Sequence, residues 1–179
     1  MRSEIGAAAV IRAMRKADRE AVSEIITLVG NFSKAEIDCA LELIDIYLQV
    51  KGQKDYRIAV CEDSQSGVQA YICWGPVPLT RGSYDIYWIA THPDSQGKGF
   101  GSSLMDHAED CIEKEKGRLL FIETSSKESY ENTVRFYRRL GFTQTSRIRD
   151  FYDAGDDKLI FVKRLSRQGD RFANGTMEA

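Results

Sequence analysis

The sequence has few of the residues and patterns that mark several specialised classes of protein. It contains four cysteines without a C-x-x-C pair and only two histidines, so neither a disulfide framework nor a zinc site is expected. Acidic residues slightly outnumber basic ones, giving a net charge of −2, whereas nucleic-acid-binding proteins usually carry a basic excess. No run approaches the roughly 20 apolar residues of a membrane span. We therefore expect no metal, no nucleic-acid partner and no membrane partner.

The two ends of the chain contain little that predicts targeting or folding. The apolar run in the opening stretch MRSEIGAAAVIRAMRK is short and interrupted by charges, unlike the core of a secretory signal. We therefore expect a cytoplasmic protein. The polar or small residues of segments 1–8 and 166–179 predict loosely ordered tails. Residues 9–165, between them, are numerous enough to bury the core of a single domain.

Hydrophobic periodicity predicts an alternation of strands and helices along the chain. Ser33 and Glu36 form a capping box that opens a helix over 33–51. This helix carries two apolar stripes, so we expect it to cover a ligand or the second subunit of a homodimer. The other predicted elements are a strand at 11–15, a helix capped by Asp18, a hairpin over 56–74, strands at 85–91 and 119–122, helices at 102–116 and 130–140, and a final hairpin over 142–165.

Three glycines separate a predicted strand from a predicted helix. Gly97, Gly99 and Gly101 follow the strand-like run IYWIAT and precede the helix 102–116. Residues without Cβ let the backbone approach a ligand closely, and the N–H groups at a helix N-terminus attract anions. The crossover from this strand through the helix to the run LLFI predicts a parallel, right-handed strand pair. We interpret the loop as a site for an anion, most plausibly phosphate.

The spacing of the loop distinguishes three known phosphate-binding patterns. A P-loop places lysine after its last glycine, whereas Lys98 lies between Gly97 and Gly99. A dinucleotide-binding fingerprint requires a third glycine where this chain has Ser102. The third pattern, Gln/Arg-x-x-Gly-x-Gly/Ala, is met by Gln96-Gly-Lys-Gly-Phe-Gly101.

With this motif the chain resembles the GNAT superfamily of acetyl-CoA-dependent N-acetyltransferases. The resemblance covers nearly all of residues 9–165. It depends on IATHPDSQGKGFGSSLM and on YENTVRFYRRLGF, a helix that ends in the family's F-Y-x-x-x-G-F signature. It implies an α+β fold with a central twisted mixed sheet, mostly antiparallel, with one parallel β-α-β crossover and helices on both faces. It also implies acetyl-CoA as co-substrate.

The resemblance assigns the residues that bind acetyl-CoA. Backbone N–H groups of the glycine loop hold the pyrophosphate in the family, and the preceding strand pairs with the pantetheine arm. Seven residues before the signature tyrosine, many members carry an asparagine, but this chain has Tyr130 there and an asparagine two positions later. Either that asparagine takes the family role or Tyr130 plays a different part. The implied binding residues are Ile89, Ala90, Thr91, Gln96, Gly97, Lys98, Gly99, Phe100, Gly101, Ser102, Asn132 and Tyr137.

Acetyl transfer from a thioester to an amine requires two proton movements. An alkylamine with a pKa of about 10.4 must lose a proton before it attacks, and the departing thiolate must be protonated. Tyr137 matches the family's tyrosine at the sulfur and is the implied general acid. Glu123, at the end of the predicted strand LLFIE, is our hypothesis for the general base. Asp85, Tyr87 or a water relay are the alternatives.

Aromatic and acidic residues near the predicted mouth of the site suit a cationic amine. We expect the acceptor to be a primary amine of a small molecule or peptide. A covalent cysteine intermediate is not expected, because no cysteine falls at the predicted site. The alternative function is a non-catalytic acyl-CoA-binding or sensing module. The residues expected at the mouth are Tyr47, Trp74, Phe151, Tyr152, Asp150, Asp153, Asp156 and Asp157.

Overall fold

The computed structural model describes residues 9–165, and the expected tails at 1–8 and 166–179 lie outside the described residues. The strands are β1 (Ala9–Ala13), β2 (Arg57–Asp63), β3 (Gly67–Pro76), β4 (Ser83–Thr91), β5 (Leu119–Ser125), β6 (Thr143–Asp153) and β7 (Asp156–Arg164). The helices are α1 (Arg19–Leu28), α2 (Lys34–Gln49), α3 (Phe100–Lys114) and α4 (Glu131–Arg139).

The seven strands form one mixed sheet in the order β1-β2-β3-β4-β5-β7-β6. Every neighbouring pair is antiparallel except β4 and β5, which are joined by the α3 crossover and run parallel. The predicted fold class is therefore confirmed. Each predicted strand and helix is present, with ends shifted by a few residues, as fraying of element ends allows.

The parallel pairing of β4 and β5 is short. It joins Ser83 to Leu119, Tyr84 to Leu120 and Asp85 to Phe121, and the two strands then diverge. A β-bulge lies just beyond this point, because Cys73 and Trp74 of β3 face Trp88 and Ile86 and leave Tyr87 as the extra residue. A bulge bends its strand and increases the local twist. It therefore helps to turn the second half of β4 away from β5.

Two apolar cores cover the two faces of the sheet. On one face α3 and α4 pack on the sheet through a cluster that includes Leu104, Met105, Ile112, Leu120 and Phe161, all fully buried. On the other face α1 and α2 bury a second cluster, whose members include Val22, Ile25, Ile26, Ile44, Val60 and Tyr71. No helix within residues 9–165 combines the length and apolar character needed to cross a membrane.

The two predicted helix caps differ in outcome. The capping box is confirmed, since Ser33 N donates to Glu36 Oε2 at 2.7 Å and Glu36 N donates to Ser33 Oγ at 3.3 Å. Asp18 precedes α1 but its carboxylate does not cap that helix. It instead accepts hydrogen bonds from Arg12 Nη1 at 2.6 Å, Arg12 Nη2 at 2.9 Å and Arg15 N at 2.7 Å. The carboxylate therefore connects β1 to the start of α1, which a local sequence pattern does not reveal.

We predict that Asp18→Asn lowers the free energy of unfolding by about 2–4 kcal/mol at neutral pH, because it leaves Arg12, whose side chain is only 16% exposed, without its main partner. The hydrogen bond from Arg12 lowers the pKa of Asp18 against the opposing effect of burial. A lowered pKa gives stability that is present above the unfolded value of about 3.9 and is lost as pH falls through the folded value. The difference between wild type and variant should therefore shrink below about pH 4.

Chemical denaturation between pH 7 and pH 3 measures this difference. Asp38→Asn is the matched control, because Asp38 is exposed and pairs with Lys34 one helical turn away. Its effect should stay below about 0.5 kcal/mol. Equal losses in the two variants would contradict the prediction.

Candidate active site

The glycine loop has the backbone shape that an anion site at a helix N-terminus requires. After β4 the chain makes one 3-10 turn at Pro93–Ser95 and then enters the left-handed region at Gly97 (φ 76°) and Gly99 (φ 90°). Glycine adopts this region without steric cost. Gly99 is the N-cap of α3.

The first amides of α3 have no acceptor within the helix. The bond from Ser103 N to Gly99 O, at 2.9 Å, closes the first turn, so the N–H groups of residues 99–102 precede the intrahelical ladder. No side chain caps this end in the described chain. These N–H groups and the helix dipole attract negative charge.

Gly101 has a different role from the two loop glycines. A Cβ added at Gly97 would meet nothing within 4 Å. One added at Gly101 would lie 3.3 Å from Thr91 Oγ1 and 3.5 Å from the ring of Phe136. Gly101 therefore allows the start of α3 to pack closely against the end of β4 and against α4.

A cavity of about 440 Å³ lies where β4 and β5 have diverged. Ile89 of β4 lines it, and the same strand leads into the glycine loop. Its walls come from β4, β5, α4, the connection between α1 and α2, and the β6–β7 hairpin. Its aromatic lining residues are Phe32, Tyr87, Trp88, Tyr130, Tyr137 and Tyr152, and its acidic ones are Glu36, Glu123, Asp153 and Asp156.

Tyr137 lines the cavity from α4. Its side chain is held among the rings of Phe136, Phe142 and Phe161, with ring centroids about 6 Å apart, and only 6% of the residue is exposed. Burial raises the pKa of Tyr137, so it keeps its proton at neutral pH. Its hydroxyl has no hydrogen-bond partner within residues 9–165. The side chain therefore presents an uncommitted O–H donor.

Glu123 lines the same cavity from β5, near the end of the strand. Its Oε2 accepts from Lys158 Nζ at 2.6 Å, and that ammonium lies 3.8 Å from the ring centroid of Phe151. The alternatives for a proton acceptor lie differently. Tyr87 lines the cavity, and burial raises its pKa to about 12. Asp85 is at the last paired position of β4 and β5 and does not line the cavity, and burial followed by the charge of Glu123 raises its pKa.

Tyr130 and Asn132 occupy different environments. Asn132 is exposed, does not line the cavity, and its Oδ1 accepts from Arg135 Nη2 at 2.8 Å. Tyr130 lines the cavity and its hydroxyl donates to Asn31 O at 2.9 Å. Asn31 Nδ2 in turn donates to Ser129 O at 3.3 Å. These two hydrogen bonds join the α1–α2 connection to the segment before α4.

Some of the residues expected at the mouth line the cavity and the others do not. Tyr152, Asp153 and Asp156 do line the cavity. Trp74 lies in the core with its ring 6.2 Å from that of His107, and Tyr47 packs against the α1–α2 core, so neither reaches the cavity. The other three belong to the β6–β7 hairpin. Asp150 Oδ1 accepts from Gly155 N, and Asp157 Oδ1 accepts from Asp150 N. The ring of Phe151 contacts the ammonium of Lys158.

Several lining residues were not predicted from the sequence. Phe32 and Trp88 pack edge to face with centroids 5.3 Å apart at the wall of the cavity. Glu36 was identified only as a helix-capping residue. Ser125, the last residue of β5, and Lys127, two positions later, bind the buried Asp156 at 2.5 Å and 3.1 Å.

Comparison with known proteins identifies the family of this chain. The model of the Acetyltransferase (GNAT) domain matches residues 54–144, which are 91 of the 179 residues. The matched segment holds the bulged strand, the glycine loop, α3, β5 and the signature helix α4. The chain therefore belongs to the GNAT acetyltransferase family.

Individual relatives cover different shares of the chain. A crystal structure of a Desulfovibrio desulfuricans protein assigned to the GNAT family is 35% identical, with a TM-score of 0.84 over 89% of this chain and 100% of that chain. The ribosomal protein bS18-alanine N-acetyltransferase of Escherichia coli is 30% identical over 58% of this chain and 69% of its own length. The S-(2-succino)cysteine N-acetyltransferase of Bacillus subtilis is 26% identical over 40% of this chain, and the match spans less than half of its length (44%).

We predict that Tyr130→Phe loosens the α1–α2 connection, because it removes the hydroxyl that donates to Asn31 O. A hydrogen bond of this kind contributes about 1 kcal/mol, so amide exchange over residues 29–33 should become roughly fivefold faster. Hydrogen–deuterium exchange followed by mass spectrometry measures this. Tyr152→Phe is the control, since its hydroxyl has no partner in the part of the chain that the structure describes. Equal exchange in both variants would show that the hydrogen bond from Tyr130 to Asn31 O does not stabilise the α1–α2 connection.

Proposed function

We propose that the protein transfers an acetyl group from acetyl-CoA directly to a primary amine of a small molecule or peptide, within a ternary complex in the cytoplasm. One observation carries the proposal: amides without an intrahelical acceptor, at the start of α3, lie at the end of the strand that also lines a cavity containing Tyr137 and Glu123. The loop suits the phosphates of the donor, and the cavity suits the reacting groups.

The residues fit acetyl-CoA in two respects. The amides from Gly97 to Ser102 suit the pyrophosphate, with the exposed Gln96 and Lys98 beside them and Phe100 anchored in the core. Beyond Asp85 the edge of β4 that faces β5 is unpaired, whereas the other edge stays bonded to β3 through Ile89, Ala90 and Thr91. The free edge is available to the amide groups of a pantetheine arm. Asn132 does not line the cavity and its side chain bonds Arg135, so we assign it a peripheral role in binding.

Acetyl-CoA would supply the activated acetyl thioester, and the chain would supply the proton movements. The amine loses one proton and its nitrogen forms the new bond to the acetyl carbon, while the carbon–sulfur bond breaks. In this proposal Glu123 takes the proton of the amine, directly or through water. Tyr137, which burial keeps protonated at neutral pH, gives its proton to the departing sulfur, and the proton taken by Glu123 returns through water to Tyr137, so that the products are the amide and the CoA thiol.

The donor site predicts that Gly99→Glu abolishes acetyl-CoA binding, because the variant places a side chain and a negative charge at the loop. Isothermal titration calorimetry should show at least a tenfold weaker affinity, the factor that about 1.4 kcal/mol represents. Gly52→Glu is the matched control, since Gly52 has the same left-handed backbone (φ 78°), nothing within 4 Å of an added Cβ, and a position outside this site. Absence of binding by the folded wild-type protein would overturn the proposed function.

The acid–base assignment predicts distinct kinetic effects for two variants. Tyr137→Phe should lower kcat by roughly 10²-fold or more with little change in acetyl-CoA affinity, because general acid catalysis typically contributes that much. Glu123→Gln should lower the rate at neutral pH and recover towards high pH, where the amine is already deprotonated. Release of CoA thiol, followed between pH 7 and pH 10, measures both.

Tyr84→Phe is the control for Tyr137→Phe, since Tyr84 is buried and bonds Glu115 outside the cavity. An unchanged kcat in Tyr137→Phe would remove Tyr137 from the mechanism. A rate profile for Glu123→Gln identical with that of wild type would assign the base to water or another residue.

A further inference from the structure

The charged groups of the cavity do not balance. Four carboxylates line it, but the only ammonium among the described lining residues is that of Lys127. Lys127 pairs with Asp156 at 3.1 Å, and Lys158, from beside the cavity, pairs with Glu123 at 2.6 Å. Both lysines are therefore committed to carboxylates of the protein.

Two carboxylates remain without a cationic partner among residues 9–165. Glu36 Oε2 accepts from Ser33 N at 2.7 Å, and Asp153 Oδ1 accepts from Ala154 N at 2.8 Å. A backbone N–H satisfies one lone pair of a carboxylate but leaves its charge in place. The cavity therefore carries an excess of two negative charges, one on α2 and one on the β6–β7 hairpin.

These charges surround one space that is built to receive a ligand. Burial, followed by the charges of Glu123, Asp156 and Glu36, raises the pKa of Tyr152 to about 12, which shows that carboxylates from three elements act on one hydroxyl. A second, independent observation concerns Tyr137, which lines this cavity and is only 6% exposed. Its hydroxyl has no hydrogen-bond partner in the described chain. Ring faces and carboxylates together are the groups that recognise ammonium ions.

We propose that the acceptor is a dication: a primary amine that carries a second cationic group, which stays protonated while the first reacts, and that has no carboxylate near the reacting nitrogen. This inference rests on the proposed function. The reacting amine must lose its proton, so it cannot neutralise the excess charge while it reacts, whereas a second cation can. A carboxylate on the acceptor would meet no uncommitted cation within the described cavity and would be repelled. The acceptor class differs in this respect from S-(2-succino)cysteine, whose succinyl group is anionic.

The test compares three acceptors with a four-carbon chain whose remote ends carry different charges. They are 1,4-diaminobutane (cationic), butylamine (neutral) and 4-aminobutanoate (anionic), assayed by release of CoA thiol. We expect kcat/KM to fall by about tenfold at each step, the factor that about 1.4 kcal/mol represents, which a charge partly shielded from solvent by the protein can supply. Equal values for butylamine and 1,4-diaminobutane, or a preference for 4-aminobutanoate, would overturn the inference.

A parallel series identifies the source of the dication. The dipeptide amides Ala-Lys, Ala-Leu and Ala-Glu present the same three remote charges beside a peptide N-terminus. The order Lys, Leu, Glu supports the same recognition chemistry, and the series with the higher kcat/KM shows whether a small diamine or a basic peptide is the acceptor. The reverse order in both series would contradict it.

Two conservative variants attribute the charge preference to named residues. Glu36→Gln keeps the capping box, which accepts glutamine, and Asp153→Asn keeps an acceptor for Ala154 N. In the double variant the ratio of kcat/KM for 1,4-diaminobutane to that for butylamine should fall from about ten to near one. Glu42→Gln removes an exposed charge of α2 outside this cavity and should leave that ratio unchanged.

The failure of this inference is distinguishable from failure of the proposed function. If acetyl-CoA binds and the amines are acetylated without regard to remote charge, the inference is wrong and the acetyltransferase function stands. If the folded wild-type protein neither binds acetyl-CoA nor releases thiol with any acceptor, the function itself is wrong. A ratio that falls equally in Glu42→Gln would show that net surface charge, rather than Glu36 and Asp153, sets the preference.

Discussion

The site depends on the fact that β4 and β5 are paired over three positions and no further. The parallel pair holds the two halves of the sheet together up to Asp85, and the bulge at Tyr87 then turns β4 away. Divergence creates both an unpaired strand edge and the cavity between the strands. Because β4 and β5 run parallel, the chain must cross over between them, and the glycine loop and α3 form that crossover.

The divided sheet places chemically different groups on the two sides of the opening. The side formed by β4 and the start of α3 presents main-chain N–H and C=O groups, which recognise phosphates and amides by geometry. The side formed by β5, α4 and the β6–β7 hairpin presents side chains with hydroxyl, carboxylate and aromatic groups. One side of the opening therefore suits a donor that is bound by main-chain groups of the protein, and the other side suits an acceptor that is selected by charged side chains.

The predictable parts of this structure are those that local sequence rules determine. The capping box at Ser33, the left-handed glycines and the crossover strand follow from spacing alone, and the family resemblance located Tyr137 on its helix. The unpredicted parts come from long-range contacts. Lys127 with Asp156, Tyr130 with Asn31, and Arg12 with Asp18 each join separate elements, the first two over 29 and 99 positions, and no local pattern encodes such partners. Trp74 was misplaced because an aromatic residue near a predicted mouth is equally suited to the core.

The division between main-chain and side-chain recognition has a consequence for how such a protein changes over time. Gln96 and Lys98 are exposed, and the loop amides beside them are present whatever side chains those positions carry, so substitution there leaves the cradle intact. The acceptor wall is assembled from side chains on separate elements, and an exposed one such as Asp153 can be exchanged without disturbing the sheet, whereas Tyr137 is also part of the core. Under the proposed function, the donor contacts do not depend on side chains whereas the acceptor contacts do, so redesign of acceptor selectivity should begin at Glu36 and Asp153.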